Sequence, residues 1–576
     1  MTFRRLFTAI ALFSTLLSGC AADKNPMTDN AVSAASAKGG MVATGSALAS
    51  QVGAGILAQG GNAIDAAVAV GFALAVTHPA AGNLGGGGFM IISLADGTTA
   101  ANDHREMAPG RATKDMFLDV ESQVVEGLST RSHLSSGVPG SVAGLLDALT
   151  KYGTMSRAEV LQPAINLAKN GIVLDEDLAR SFQRNSQEFA NYPASAAIFS
   201  RDGQAYEVGD LWVQADLAAA LERIKAEGKA GFYAGKTADL LVAEMQRGGG
   251  LISHADLRNY HSVWRQTIRS SYRSYDIVSM PPPSSGGILL VQMLNMLETF
   301  DIGGMGYGSV QSIHTLIEAE RRAYADRATY LGDSDFYPVP VSKLTDKAFA
   351  LERFADFDPS EASTSQDTGA GQIPAESMET THASIIDGQG NAVAYTTTLN
   401  LSYGNKIVVP GAGFLLNNEM DDFVLKENVA NYYGLIGGEA NSIQPGKRML
   451  SSMSPTIVLK DDQPVLVTGP PGGSTIITTT LQVIVNVLDH GMSLADAVAS
   501  PRFHHQWLPE EVLIEPGALT QQTWTELEDM GHNEIVLLEQ DALLGDANSV
   551  MRTAQGFVGV ADPRGGGAAV GVRASK

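Results

Sequence analysis

Two apolar segments near the start of the chain have the pattern of buried structure. Residues 47–76 are almost continuously apolar apart from a Gly-Gly-Asn break at 60–62, which predicts two helices, because glycine and asparagine commonly end a helix. The second helix contains Asp65 and is too short to cross a membrane. Four glycines at 85–88 then lead into a β-rich run. We expect these glycines to permit close backbone packing, because no Lys-Ser/Thr pair follows them to complete a phosphate loop.

The middle of the chain predicts a helical scaffold followed by a hairpin. Amphipathic periodicity extends from about residue 141 to residue 250. Residues 272–280 predict a strand, and residues 312–331 predict a long helix. Residues 380–404 contain two alternating runs joined by Asp-Gly-Gln-Gly-Asn at 387–391, a strong hairpin signal.

A change of composition precedes that hairpin. Residues 356–379 are rich in Ser, Thr, Ala, Gly and acidic residues, which predicts a flexible segment. One physical use for a flexible segment that runs directly into a core strand is proteolytic cleavage, because the cut frees the first residue of the strand. Thr380 has the matching chemistry, since its hydroxyl is a nucleophile and a new N-terminal amine can be its base. From these residues alone, an ordinary strand start at Thr380 stays the alternative.

The N-terminus has the layout of an export signal. Arg4 and Arg5 precede an apolar run of about a dozen residues, which is too short to span a bilayer. The following Leu-Ser-Gly-Cys at 17–20 is similar to the bacterial lipobox, in which the cysteine is lipidated. We therefore predict a lipoprotein-type signal peptide at 1–19, a lipidated Cys20, a tether at 20–38, and an exported, periplasmic protein. The alternative is an ordinary secretory signal that is cleaved a few residues later.

Composition excludes several classes of function. Asp and Glu number 62 against 39 Lys and Arg, so the formal charge of -23 disfavours binding to nucleic acid. Cys20 is the only cysteine, which rules out an intramolecular disulfide and a thiolate metal site. The chain also lacks the G-x-S-x-G, H-E-x-x-H and P-loop motifs. Its chemistry must come from other residues.

Many short motifs, in a fixed order, give the chain a family resemblance. They read GGNAIDAAVAVGFALAVTHPAAGNLGGGGFM, HREMAP, MPPPSSGG, AYADR with YLGD, TTHASIID, TTLN, LLNNEMDDF, RMLSSMSPTI, PPGGS and PRFHHQWLP. With these motifs the sequence resembles the γ-glutamyltranspeptidase family along almost its whole mature length. The resemblance implies an α+β fold, the N-terminal-nucleophile (Ntn) hydrolase αββα sandwich, formed jointly by two autoprocessed chains. These would be a large subunit at 39–379 and a small subunit at 380–576.

The resemblance also assigns roles to individual residues. It implies a self-cleavage between Glu379 and Thr380, with Thr380 as the nucleophile and its amine as the base. The other catalytic residues that it implies are Thr398, which orients the nucleophile, and the oxyanion-hole glycines Gly472 and Gly473. For binding, it implies Arg105, Ser451 and Ser452 for the substrate α-carboxylate, Asn400, Glu419 and Asp422 for the α-ammonium, and Tyr433 as a lid.

The implied function is that of a glutathione hydrolase and γ-glutamyltransferase. It would take glutathione and other γ-glutamyl compounds as donors and water, amino acids or dipeptides as acceptors. No cofactor and no metal are expected, and the adjacent His504 and His505 are interpreted as structural. The membrane would be contacted only through the lipid anchor. Two alternatives stay open: a cephalosporin or glutaryl acylase on the same scaffold, and an inactive, lipid-anchored protein that binds γ-glutamyl compounds.

Overall fold

The computed structural model describes residues 34–368, 380–426, 429–539, 542 and 544–574. Within these residues the chain forms two seven-stranded sheets. The first sheet contains, in spatial order, the strands Ala34–Ala37, Gly556–Val560, Ser549–Thr553, Gln463–Thr468, Thr456–Lys460, Tyr275–Ser279 and Ile268–Tyr272. The second contains Ala568–Val572, Gly40–Thr44, Thr381–Asp387, Ala392–Thr398, Gly87–Ser93, Thr99–His104 and Val263–Arg265. All the neighbouring pairs in both sheets are antiparallel.

Helices cover the outer face of each sheet. Those of the first group share an apolar core with the second sheet: Ala47–Ala58, Ala63–Thr77, Ser141–Tyr152, Arg157–Asn170, Ala215–Glu227, Ala230–Tyr233, Gly235–Gly248 and His254–Asn259. Three more helices pack in two smaller apolar clusters: Leu128–Arg131, Glu176–Phe189 and Pro193–Phe199. Those of the other group lie largely against the first sheet: Gly286–Leu297, Ile302–Met305, Val310–Tyr330, Val341–Leu344, Lys347–Arg353, Thr475–Leu488, Leu494–Ala499 and Gln521–Asp529. Short strands complete the fold at Ile172–Val173, Ser200–Arg201, Gln204–Ala205, Leu211–Trp212, Phe503–His504, Val512–Ile514 and Ile535–Leu537.

Three apolar cores hold these layers together. One lies between the two sheets and joins residues such as Phe89 and Ile386 of the second sheet to Ile457 and Val467 of the first. The other two lie between each sheet and its helices. This is the four-layer αββα sandwich expected from the sequence, and segments on both sides of position 380 supply strands to each sheet.

Local interactions explain two of the predicted features. Asn62 and Asp65 form a reciprocal capping box at the start of the helix Ala63–Thr77, and Asp65 also accepts hydrogen bonds from Thr154. The glycines at 85–88 lie against other backbone. A Cβ at Gly85 would lie 2.1 Å from the carbonyl oxygen of Leu415. Close packing, not phosphate binding, therefore explains that cluster.

The structure differs from the sequence predictions in three places. The strand Ala34–Ala37 lies within the predicted tether, so the folded body begins before residue 39. The single strand predicted at 272–280 is the second half of a hairpin whose first strand is Ile268–Tyr272. The predicted flexible segment is packed at its start, since Ser365 is buried and accepts a hydrogen bond from Trp507. Among the described helices, none has both the length and the apolar character that a membrane span needs.

Candidate active site

Thr380 lies at the start of a central strand, beside the end of its hairpin partner. It immediately precedes the strand Thr381–Asp387, and it is buried, with 5% of its surface exposed. In the partner strand Ala392–Thr398, Thr397 pairs with Thr381, which brings Thr398 next to Thr380 in the same pocket. The hydroxyl of Thr398 accepts a hydrogen bond of 2.8 Å from the backbone N–H of Asn400. Both threonines are therefore held by the hairpin itself.

Gly472 and Gly473 form a tight turn before the helix Thr475–Leu488. Their φ angles are 135° and 53°, and an added Cβ at Gly473 would lie 2.4 Å from the ring of Tyr433. Only glycine fits both conditions. Because unpaired N–H groups and the helix dipole favour negative charge at a helix N-terminus, this turn can stabilise an oxyanion.

Thr380 opens into a pocket of about 300 Å³. The pocket is lined by Arg105, Arg327, Thr380, Thr398, Asn400, Glu419, Asp422, Tyr433, Leu435, Ser451, Ser452, Met453, Gly473 and Ile476. Except for Gly472, every residue for which the sequence predicted a part in catalysis or substrate binding lines this one pocket. Gly472 lies next to Gly473 in the turn. The roles of these residues stay predictions.

Arg105 is surrounded by carboxylates. It forms ion pairs with Glu419 and Asp422, and a longer one of 3.4 Å with Glu106. Burial lowers the pKa of Arg105, but these charges outweigh burial and raise the pKa above its usual value. Burial raises the pKa of Glu419 well above its usual value and that of Glu106 to about 7, against the opposing effect of Arg105.

The same carboxylates provide acceptors for a cationic ligand. Oε1 of Glu419 is buried and has no hydrogen-bond partner among the described residues. Asp422 is fixed by Arg105 and by the side-chain amide of Asn431, which donates to it over 3.1 Å. Asn400 lines the pocket with a left-handed backbone, φ 74°, and its amide donates to the carbonyl oxygen of Asn418 over 3.0 Å. An ammonium group needs such acceptors.

Ser451 and Ser452 lie on a loop that is tied to the turn before the helix Gly286–Leu297. The backbone N–H and the hydroxyl of Ser285 both donate to the carbonyl oxygen of Ser451, each over 2.8 Å. The guanidinium of Arg327 donates to the hydroxyls of Ser285 and Ser452 over 3.0 and 3.2 Å. The two pocket serines are thus held from the large predicted subunit.

Tyr433 closes one side of the pocket. Its hydroxyl donates to the carbonyl oxygen of Asn400 over 2.5 Å, and only 4% of its surface is exposed. Its ring lies against Gly473. This tyrosine therefore touches both the predicted oxyanion turn and the predicted ammonium site.

The helix Val310–Tyr330 contributes residues that the sequence did not single out. The hydroxyl of Tyr324 donates to the carbonyl oxygen of Ser474, next to the glycine turn. One turn further on, Arg327 reaches the pocket. Both lie in the AYADR stretch, which carries the family resemblance without a stated role. Leu435, Met453 and Ile476 were also missed, because isolated apolar residues carry no sequence signal for a pocket.

The histidines resemble core residues more than ligands. His504 and His505 are buried, and their Nδ1 atoms lie 2.8 Å from the hydroxyl of Thr478 and the carbonyl oxygen of Glu511. Among the described residues a group of potential metal ligands does occur elsewhere: His314, Glu318 and His532. Glu318 is already paired with two arginines, and the two histidines hydrogen-bond each other over 2.8 Å. Glu379 and Cys20 lie outside the described residues.

Comparisons with known proteins agree with this site. The model of the family described as gamma-glutamyltranspeptidase matches residues 49–572. The glutathione hydrolase proenzyme of Escherichia coli (strain K12) is 48% identical over 569 residues, which cover 97% of this chain and 97% of that protein. The acylase ACY 1 proenzyme of Pseudomonas sp. (strain SE83) is 41% identical over 507 residues, covering 87% of this chain and 88% of that protein.

Solved structures support the fold over the full length. The crystal structure of cephalosporin acylase from Bacillus halodurans has a TM-score of 0.83 at 25% identity, and the match covers 98% of this chain and 100% of that chain. The fold class and the family predicted from the sequence are both confirmed. The chain belongs to the γ-glutamyltranspeptidase family.

Proposed function

We propose that the protein is a glutathione hydrolase and γ-glutamyltransferase. The observation that carries this proposal is the pocket beside Thr380, where cationic and anionic side chains lie together at the nucleophile. The γ-glutamyl group ends in an α-amino acid, which carries one ammonium and one carboxylate. Glu419, Asp422 and Asn400 suit the ammonium, while the arginines and serines suit the carboxylate. The high identity to glutathione hydrolase proenzymes supports the same substrate class.

The reaction proceeds through an ester on Thr380. Its hydroxyl attacks the γ-amide carbonyl and gives its proton to the Thr380 amine. The oxyanion is stabilised by the turn at Gly472 and Gly473. The amine then returns the proton to the leaving nitrogen, so the C–N bond breaks and the γ-glutamyl ester is left. Water releases glutamate, or an amino acid or dipeptide amine takes the γ-glutamyl group.

Release of the Thr380 amine requires cleavage of the chain. We propose that the precursor cuts itself between Glu379 and Thr380 into a large and a small subunit. The proenzyme names of the relatives support such processing. Until that cut, the nitrogen of Thr380 is an amide and cannot accept the proton.

The intact mass of a soluble form beginning at Ala21 tests this step. Two chains that meet at Glu379 and Thr380 are expected for the wild type, and one uncut chain for Thr380→Ala. Turnover of a γ-glutamyl anilide should accompany cleavage and be lost in the variant. An uncut wild type that binds γ-glutamyl compounds without turnover would instead favour the inactive binding protein.

An acylase is the second candidate, because acylase relatives match both the sequence and the fold. A panel of γ-glutamyl, glutaryl and cephalosporin amides separates the two. We expect a strong preference for γ-glutamyl amides, because glutaryl amides lack the ammonium group that the remaining acceptor atoms of Glu419 and Asp422 would bind. Equal turnover of glutaryl amides would favour the acylase. Ping-pong kinetics with dipeptide acceptors are expected for the transferase, and intersecting kinetics would contradict the covalent ester.

We also propose export to the periplasm with a lipid anchor on Cys20. The support is the arrangement of basic, apolar and lipobox residues at the N-terminus. Mass analysis of the mature large subunit tests it. An acylated N-terminal cysteine is expected, and an unmodified chain that starts beyond Cys20 would reject the anchor.

A further inference from the structure

The two arginines that line the pocket differ in their partners. Arg105 is saturated, because each of its guanidinium nitrogens has an acceptor within the chain. These acceptors are the carboxylates of Glu419, Asp422 and Glu106 and the carbonyl oxygens of Met449 and Leu450. To receive a substrate carboxylate, Arg105 would have to share or lose a partner. Its two short ion pairs also tie it to residues predicted to bind the substrate ammonium.

Arg327 has fewer hydrogen-bond acceptors around its guanidinium than Arg105. It is buried, with 5% of its surface exposed, and within the described parts of the chain its Nε and Nη2 donate only to the hydroxyls of Ser285 and Ser452. Among the described residues no carboxylate forms an ion pair with it. Burial lowers its pKa to about 10, so it keeps its charge at neutral pH. Asp422 lies near enough to raise the pKa of Arg327 but forms no ion pair with it, so the buried charge of Arg327 is only partly compensated. An anionic ligand beside Arg327 would compensate this charge further.

The hydroxyl of Ser452 also favours an anionic ligand in the pocket. Its hydroxyl accepts from Arg327, and no acceptor for its own proton is found among the described residues. Ser285 differs, because its hydroxyl accepts from Arg327 and donates to the carbonyl oxygen of Ser451. A serine hydroxyl has one donor, so that of Ser452 is available to an oxygen in the pocket. Arg327 and Ser452 together present donors from one wall.

We propose that Arg327 is a binding residue for the α-carboxylate of the γ-glutamyl donor, acting with Ser452. The proposal rests on the proposed function and extends it. Arg105 then has a double task, since it contacts the carboxylate while it keeps Glu419 and Asp422 in place for the ammonium. The sequence assigns one arginine, Arg105, to the substrate carboxylate. In this proposal Arg105 and Arg327 share that role.

The experiment compares three competitive ligands that carry the same amide. L-glutamine has both charged groups, glutaramate has the carboxylate without the ammonium, and 4-aminobutanamide has the ammonium without the carboxylate. Inhibition constants are measured against γ-glutamyl anilide turnover by the mature, processed enzyme, for the wild type, Arg327→Met, Arg327→Lys and Ser285→Ala. Ser285→Ala is the matched control, because it removes a hydrogen bond of Arg327 and leaves its charge.

We expect Arg327→Met to weaken glutamine and glutaramate by about 10- to 100-fold and 4-aminobutanamide by less than about twofold. Arg327→Lys should be intermediate, and Ser285→Ala should change all three ligands by less than about threefold. Equal weakening of all three ligands by Arg327→Met, or no change for glutaramate, would overturn the proposal and leave a structural role.

Two further measurements distinguish a loss of binding from a loss of activity or folding. If Arg327→Met is too slow for the anilide assay, calorimetry with the same three ligands replaces it, because an inactive enzyme does not consume them. The masses of the two subunits show whether each variant is folded well enough to process. A wild type that does not turn over the γ-glutamyl anilide would reject the proposed function itself, independently of Arg327.

Discussion

The pocket has a reaction region and a recognition region, and the two use different kinds of chemical group. The first consists of Thr380 and the turn at Gly472 and Gly473, where backbone groups and a helix N-terminus are predicted to stabilise the oxyanion. The second is a group of buried charges around Arg105 and Arg327. Backbone groups can stabilise the oxyanion of any amide, whereas paired charges fit one arrangement of substrate charges. Changes in the first region should therefore affect kcat for every substrate, and changes in the second should discriminate between ligands.

Gly473→Ala should give the largest effect among changes outside the nucleophile. The new Cβ would meet Tyr433 at 2.4 Å, and φ of 53° is unfavourable for alanine. Because the turn must shift, we expect kcat to fall by about 10²- to 10³-fold for every amide tested. Initial rates with γ-glutamyl and glutaryl anilides measure this loss.

Gly249→Ala is the matched control for backbone strain. Its φ is 74° and no atom lies within 4 Å of the added Cβ. It should lower stability slightly and leave kcat unchanged. If Gly473→Ala affected only one class of amide, the division between reaction and recognition would be wrong.

The sequence could predict the reaction region better than the recognition region. The hairpin from 380 to 398 follows from local alternation and turn chemistry, and it places Thr380 and Thr398 side by side. That Arg327 forms no ion pair with any described residue could not be predicted from the sequence, because it depends on how far the fold places each carboxylate from its guanidinium. The strand Ala34–Ala37 was missed for a local reason, since small residues carry little β-propensity and pairing with Gly556–Val560 decides the outcome.

A pH titration tests the role of charge in the recognition region. Its expected effect is smaller than that of Gly473→Ala. Burial raises the pKa of Glu106 to about 7, so this carboxyl is ionised above that pH and neutral below it. Acidification from about pH 8 to about pH 6 therefore makes the pocket less negative, while the charges of the ligands do not change. We expect 4-aminobutanamide to bind about 3- to 10-fold more weakly, glutaramate to bind more tightly, and glutamine to change little.

The control for this titration is Glu106→Gln, which removes the titrating group and keeps its size. Its inhibition constants should vary less with pH over the same range than those of the wild type, and the remaining trend would report the other titrating groups, such as Glu419, whose pKa burial also raises. Parallel trends for the cationic and anionic ligands would contradict an electrostatic cause. Opposite trends that persist in Glu106→Gln would point instead to titration of the predicted Thr380 amine, whose protonation also makes the pocket more positive and whose reference pKa of about 7.7 to 8.0 lies in the same window.

Tyr433→Phe should give the smallest effect, because it touches both regions without carrying charge. The variant loses the hydrogen bond from the hydroxyl to the carbonyl oxygen of Asn400 and keeps the ring against Gly473. A single neutral hydrogen bond is worth about 1 kcal/mol, so kcat/KM for a γ-glutamyl anilide should fall by about fivefold. The neighbouring Tyr432 is 39% exposed and gives the matched control, for which Tyr432→Phe should change nothing. An equal loss in both variants would mean that the loop as a whole, and not the contact with Asn400, couples the two regions.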